Sequence, residues 1–132
     1  MNESGRAVQQ VCQFYKIQKF SNLLVVLDDI NLPFGTIRLR PGGTDGGQKG
    51  LRSILQTMGT SRIPRLRVGI GVPKGEASKY VLSKFSKKEQ KLLPEIIETA
   101  ADAVETFGTQ GLEVAMNLFN RYLFTNTEEE RR

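Results

Sequence analysis

The chain has no histidine, a single cysteine and no apolar run long enough to span a membrane. Sites that move protons near neutral pH most often use histidine, so its absence removes the commonest general base. One thiol cannot close an intramolecular disulfide, and with no histidine to join it a zinc site is excluded in practice. Cys12, set among apolar neighbours, reads as a small buried hydrophobe. The first residues do not resemble a signal peptide, so a cytosol-like compartment is expected.

What the chain does contain is ordinary in amount and unusual in arrangement. Its 132 residues suffice for one core. With 39% apolar and 25% charged residues, wholesale disorder is not expected. Nineteen basic against fourteen acidic side chains leave a net charge of +5. That balance favours a polyanionic partner, and a merely basic, solvated surface is the other reading.

The order of patterns along the chain predicts an α/β fold with a mixed sheet. A first helix is expected from about Ser4, with Ala7, Val8, Val11, Phe14 and Tyr15 on one apolar face. After a loop closed by Ser21 or Asn22, Leu23 to Leu27 reads as a strand covered on both faces. Pro33 and Gly35 mark a turn. From Thr36 to Arg40, Ile37 and Leu39 alternate with Thr36, Arg38 and Arg40; Arg65 to Ile70 sets Leu66, Val68 and Ile70 opposite Arg65, Arg67 and Gly69. Between them Leu51, Ile54, Leu55 and Met58 form a short helix ending at Gly59. Ser86 and Glu89 make a capping box for a long helix. That helix carries Leu93, Ile96, Ile97, Ala100, Ala101, Val104 and Phe107, holds Pro94 inside it, and is expected to stop at Gly108. A last helix bears Leu112, Ala115, Met116, Phe119 and Tyr122 before a charged tail.

Chemistry concentrates between residues 28 and 67. Asp28 and Asp29 close an apolar strand, the place where open α/β sheets put ligand-handling groups. Asp28 could orient a base or polarise water; alternatively, one carboxylate caps the turn and the other is solvated. Residues 42–50 hold five glycines and lead into a helix, which suits close approach to an anion but also suits a tight turn. The loop matches neither a P-loop nor a dinucleotide fingerprint. Arg38, Arg40, Arg65 and Arg67 sit on alternate strand positions, each pair ~7 Å apart on one face. With Lys49, Arg52 and Arg62 nearby, they favour phosphate binding over a solvated outer face. Lys84, Lys87, Lys88 and Lys91 either extend that surface or form a solvated helix face.

In this order the pieces resemble the bacterial-type peptidyl-tRNA hydrolase family. The residues carrying the resemblance are Met1-Asn2 with Ser4-Gly5 and Ala7-Val8, then Phe14 to Ile17, Asp28-Asp29 with Leu32-Pro33 and Gly35, and Gly46-Gly47 with Gly50-Leu51. Arg65 to Gly71, Tyr80-Val81-Leu82, Phe85 and Ala115-Met116-Asn117 continue it. The resemblance implies one domain over residues 1–125 followed by a charged tail at 126–132, with a mostly parallel sheet flanked by helices. It also implies hydrolysis of the ester joining peptide to tRNA, which recycles tRNA in translation. In this family a histidine base activates water and an aspartate, here Asp28, orients it. Asn2, Gln48 and Lys49 then contact substrate, while Arg40 and Arg67 resemble a clamp for the terminal phosphate of tRNA. No cofactor and no metal are implied. The expected partner is tRNA, with no membrane, in the cytoplasm or in an organelle if a targeting segment preceded the chain.

Two departures from the family pattern stand out. The segment with the opening strand and the histidine base is absent, as though translation started at an internal methionine. Gln48-Lys49 stands where the family has His-Asn, which keeps polar donors and adds a charge. An aspartate carboxylate, with a reference pKa of ~3.9, is a poor base for water at neutrality. The chain alone is therefore expected to show little or no hydrolysis and marginal stability, and to be a monomer once an upstream segment completes it. A non-catalytic RNA-binding relative, like the plant organelle splicing factors that resemble this family, and a small-molecule phosphate-binding module are the other readings.

Overall fold

The structure, a computed structural model, describes residues 3–71 and 85–120. The expectations for Asn2, Tyr80 to Leu82, Lys84, Tyr122 and the tail concern residues outside this range. The chain divides into two compact units. The first comprises Met1–Leu27 with Arg40–Arg65; the second comprises Asp28–Leu39 with Leu66–Arg132.

In the first unit, helix α1 (Ser4–Phe14) packs against helix α2 (Lys49–Met58). Gly5 makes the approach possible: a Cβ there would collide with the Ser53 carbonyl and the Thr57 hydroxyl. The Gly5 N–H instead donates to Ser53 Oγ at 2.9 Å. This contact fixes the rotation of α1. At about 100° per residue, Cys12 shares the Gly5 face and Phe14 lies opposite. The expected apolar face is therefore corrected: Val11, Phe14 and Tyr15 are 49%, 78% and 68% exposed, and Gly5 and Cys12 are buried. Leu51, Ile54 and Ile63 complete this core. Helix α2 ends where expected, at Gly59 in the left-handed conformation (φ 72°).

Strands β1 (Val25–Asp29), β2 (Ile37–Arg40) and β3 (Arg65–Gly69) form one sheet in the order β1-β3-β2. Val25 N–H donates to Pro64 O (3.0 Å) and Ile70 N–H to Asp29 O (3.0 Å), so β1 and β3 run parallel. Gly69 N–H reaches Thr36 O (2.7 Å), so β2 starts beside the end of β3 and runs back along it. The sheet is thus mixed. Among the described residues β1 is an edge strand, and Val26 is 53% exposed, so the strand is not covered on both faces.

The second unit holds helices α3 (Lys87–Gln110) and α4 (Leu112–Phe119), packed on each other. The Ser86–Glu89 capping box forms with both bonds in place. The helix passes through Gly108 and ends two residues later; Gly111 (φ 94°) makes the turn into α4. Gly108 costs a helix only about 1 kcal/mol, too little to stop it. Ile37, Leu39, Leu66, Ile96, Ala103, Ala115 and Phe119 are buried in this unit, while Ile97 and Val104 of the expected α3 stripe are exposed. The Asn120 side chain acts as a strand partner for β2, accepting from Leu39 N–H (2.6 Å) and donating to Leu39 O (3.0 Å).

Gly5→Ala forces α1 and α2 apart and is expected to destabilise the chain by about 1–3 kcal/mol. Urea unfolding checks this, with Ala7→Gly on the exposed side of α1 as a control for helix propensity.

Candidate functional site

The end of β1 is built around Asp29. Its main-chain oxygen takes the Ile70 N–H, aligning β1 with the end of β3. Its Oδ1 accepts the Asn31 N–H at 2.7 Å, closing an Asx turn. Its Oδ2 accepts from Arg67, with Nε at 2.6 Å and Nη2 at 2.5 Å. The two side chains are 10% and 26% exposed, so the pair is well shielded. Beyond it, the turn leading to β2 is drawn in against Gly69, where any Cβ would strike the Pro33 carbonyl and Leu32.

Asp28 differs. Neighbouring strand residues face opposite sides of a sheet, so Asp28 points away from the Arg67 pair. It is half-buried, and its carboxylate makes no hydrogen bond or ion pair with the described residues. The two acids thus differ, Asp29 serving the turn and Asp28 having no carboxylate partner among the described residues. Because they face apart, they cannot jointly grip a divalent ion. Among the described residues there is also no group of three or more metal-ligating side chains.

In the first unit, the glycine-rich loop is shaped by its own bonds. Asp45 Oδ1 accepts the Gly47 N–H at 2.7 Å and its main-chain oxygen accepts Gln48 N–H at 2.9 Å. Gly46 and Gly47 take positive φ (59° and 88°), which a side chain would resist. Gln48 caps α2, its Oε1 accepting Leu51 N–H at 2.7 Å. Gly47 and Leu51 N–H, two donors an anion would need, are therefore used within the loop. Lys49, the first residue of α2, is exposed.

The four strand arginines do not act as one phosphate surface. Arg65 is only 2% exposed and donates to the Ile63, Thr44 and Ser61 carbonyls at 3.1, 2.6 and 3.0 Å. It is a structural post for the loop, and the alternation expected for β3 fails there. Arg38 donates to Ile37 O and Asn120 O, and Arg67 holds Asp29. Arg40 is exposed and has no partner among the described residues. Asp28 and Arg67 thus belong to the second unit; Arg40, Gln48 and Lys49 belong to the first. A separate cavity of about 480 Å³ in the first unit, bounded by Gln9, Cys12, Lys16, Phe20 and Met58, holds none of them.

Sequence reasoning missed Asp45, whose Oδ2 also accepts from Arg52 Nε at 3.3 Å. The signal was present: an aspartate two residues before a glycine is a common Asx turn. It also missed the Asp29–Arg67 pair, which joins residues 38 positions apart and leaves no local trace.

A family model described as peptidyl-tRNA hydrolase matches residues 1–130. The chain belongs to the peptidyl-tRNA hydrolase family. It is 50% identical to the peptidyl-tRNA hydrolase of Chlorobaculum parvum over 124 residues, covering 92% of this chain and 65% of that protein. With the Chloroflexus aggregans enzyme of the same name the identity is 48% over 122 residues, covering 91% and 65%. The crystal structure of the Acinetobacter baumannii peptidyl-tRNA hydrolase is similar with a TM-score of 0.81 at 35% identity, covering 93% of this chain and 63% of that one. A second crystal structure, of a peptidyl-tRNA hydrolase in complex with N-propanol, gives the same TM-score. The chain therefore spans about 65% of the length of the curated relatives it matches.

The Gly47 N–H donated to Asp45, with help from the Arg52 and Arg65 guanidinium groups, holds its carboxyl below the usual value of 3.8 despite some desolvation. A depressed folded value contributes stability above the ordinary pKa and loses it as pH falls through the lowered one. An NMR titration should place the Asp45 midpoint below 3.8, with the Gly47 amide signal moving in step.

Proposed function

We propose that this chain acts on peptidyl-tRNA, in the hydrolysis of the ester between peptide and tRNA that recycles tRNA in translation. One observation carries the reading: the family match over residues 1–130, within which the position expected to orient the base, Asp28, has a carboxylate with no other described partner. A charged, half-buried acceptor at a strand end suits the task of holding a protonated or tautomer-fixed base in place. Arg40 and Lys49, both exposed, supply charge toward RNA phosphates, and Arg67 supplies a guanidinium held in one orientation. Asn2 and Gln48 are assigned to substrate contact, Gln48 through the amide nitrogen left over from its capping bond. The compartment is the cytoplasm and the working form a monomer. The names of the relatives lend nothing to a non-catalytic splicing role.

The base is the part this sequence lacks, since it contains no histidine. A general base contributes about 100- to 10,000-fold to rate. Assayed beside the Chlorobaculum parvum enzyme, the 132-residue chain is expected to bind peptidyl-tRNA with an affinity that falls steeply with salt and to cleave it at least about 100-fold more slowly. Equal rates would overturn the assignment of Asp28 as a residue that works through a histidine. Salt-independent or absent binding would overturn the tRNA reading itself.

A further inference from the structure

We propose that Asp29 is a positioning residue that decides which edge of the Arg67 guanidinium is offered to a phosphate. The inference rests on the reading of Arg67 as a contact to the terminal phosphate of tRNA and goes one step beyond it. A guanidinium has two edges suited to bidentate bonding, one formed by Nε and Nη2 and the other by the two Nη nitrogens. In this chain Nε and Nη2 both close on Asp29 Oδ2, at 2.6 and 2.5 Å, so the first edge is occupied. Among the described residues nothing takes the Nη edge, which is left to meet an incoming oxygen.

The holder is itself fixed. Asp29 Oδ1 is committed to the Asn31 N–H at 2.7 Å and the main-chain oxygen to the Ile70 N–H at 3.0 Å. With its side chain only 10% exposed, the carboxylate cannot swing away without opening the turn and the end of β1. Paired in this way, Arg67 brings little net charge to RNA. Its value is directional, unlike that of the exposed Arg40 and Lys49.

Two accounts of Asp29 predict opposite signs. If it acts only as a nearby negative charge, removing that charge strengthens binding of a phosphate. If it positions Arg67, removing it weakens binding of the phosphate alone. Asp29→Asn separates the two, because an asparagine oxygen still accepts the Asn31 N–H while its amide group cannot hold the guanidinium.

The experiment compares the Kd of the full 132-residue chain for a deacylated tRNA carrying its terminal phosphate with that for the same tRNA after phosphatase treatment. The unsubstituted chain is expected to prefer the phosphorylated form about tenfold, the scale of one charge-assisted hydrogen bond. Asp29→Asn should bring this preference close to unity while leaving the Kd for dephosphorylated tRNA within about twofold. Arg67→Lys, which keeps the charge and loses the planar edge, should do the same and covers the case in which the first variant fails to fold. A preference that survives or grows in Asp29→Asn overturns the positioning role and leaves Arg67 as the phosphate contact. A chain that binds tRNA with no preference overturns both the clamp and the positioning role but not tRNA binding. A chain that binds neither RNA overturns all three.

Discussion

Asp29 closes the turn after β1 with one carboxylate oxygen and holds Arg67 of β3 with the other. The bond to Arg67 is shielded from solvent, which raises what it contributes and also what it would cost to lose one partner, whereas the turn bond to Asn31 is exposed. The same region holds the close approach of Gly69 to Pro33 and the start of β2 beside the end of β3. Asp28, its neighbour, is left on the other side of the strand with a carboxylate that has no partner among the described residues. The adjacent acids look redundant in sequence, yet the pleat of the strand turns them to opposite sides.

The arginines show the same division of labour. Alternation along β2 and β3 correctly indicates which way some of them face. It does not indicate what they meet, because each has a partner far away in the chain: Thr44 for Arg65, Asn120 for Arg38 and Asp29 for Arg67. A buried arginine satisfied by three carbonyls and an exposed one with no partner among the described residues have the same letter and the same periodicity. Of the four strand arginines, Arg40 is the exposed one without a partner among the described residues.

Features set by local chemistry were legible in the sequence. The Ser86–Glu89 box, the left-handed Gly59, the start of α1 at Ser4 and the inward Ile37 and Leu39 all depend on neighbouring residues. Features set by tertiary contact were not. The phase of α1 depends on Gly5 meeting Ser53, so the apolar count along the helix pointed to the wrong face. Helix α3 runs through Gly108 and stops at Gly111, so one glycine at position 108 could not decide its end. In the candidate site, the acids and arginines were legible as residues, the Asx turn at Asp45 was legible but overlooked, and the ion pair of Asp29 with Arg67 could only be seen in three dimensions.

The claim that Asp29 and Arg67 form the anchor is tested most directly by a double-mutant cycle in equilibrium unfolding, using Asp29→Asn, Arg67→Gln and the pair together. Residues that touch in a shielded ion pair couple by about 0.5–3 kcal/mol. The account predicts a coupling of about 1 kcal/mol or more, with the double variant less damaged than the sum of the single ones. Additive effects, with a coupling indistinguishable from zero, would contradict it.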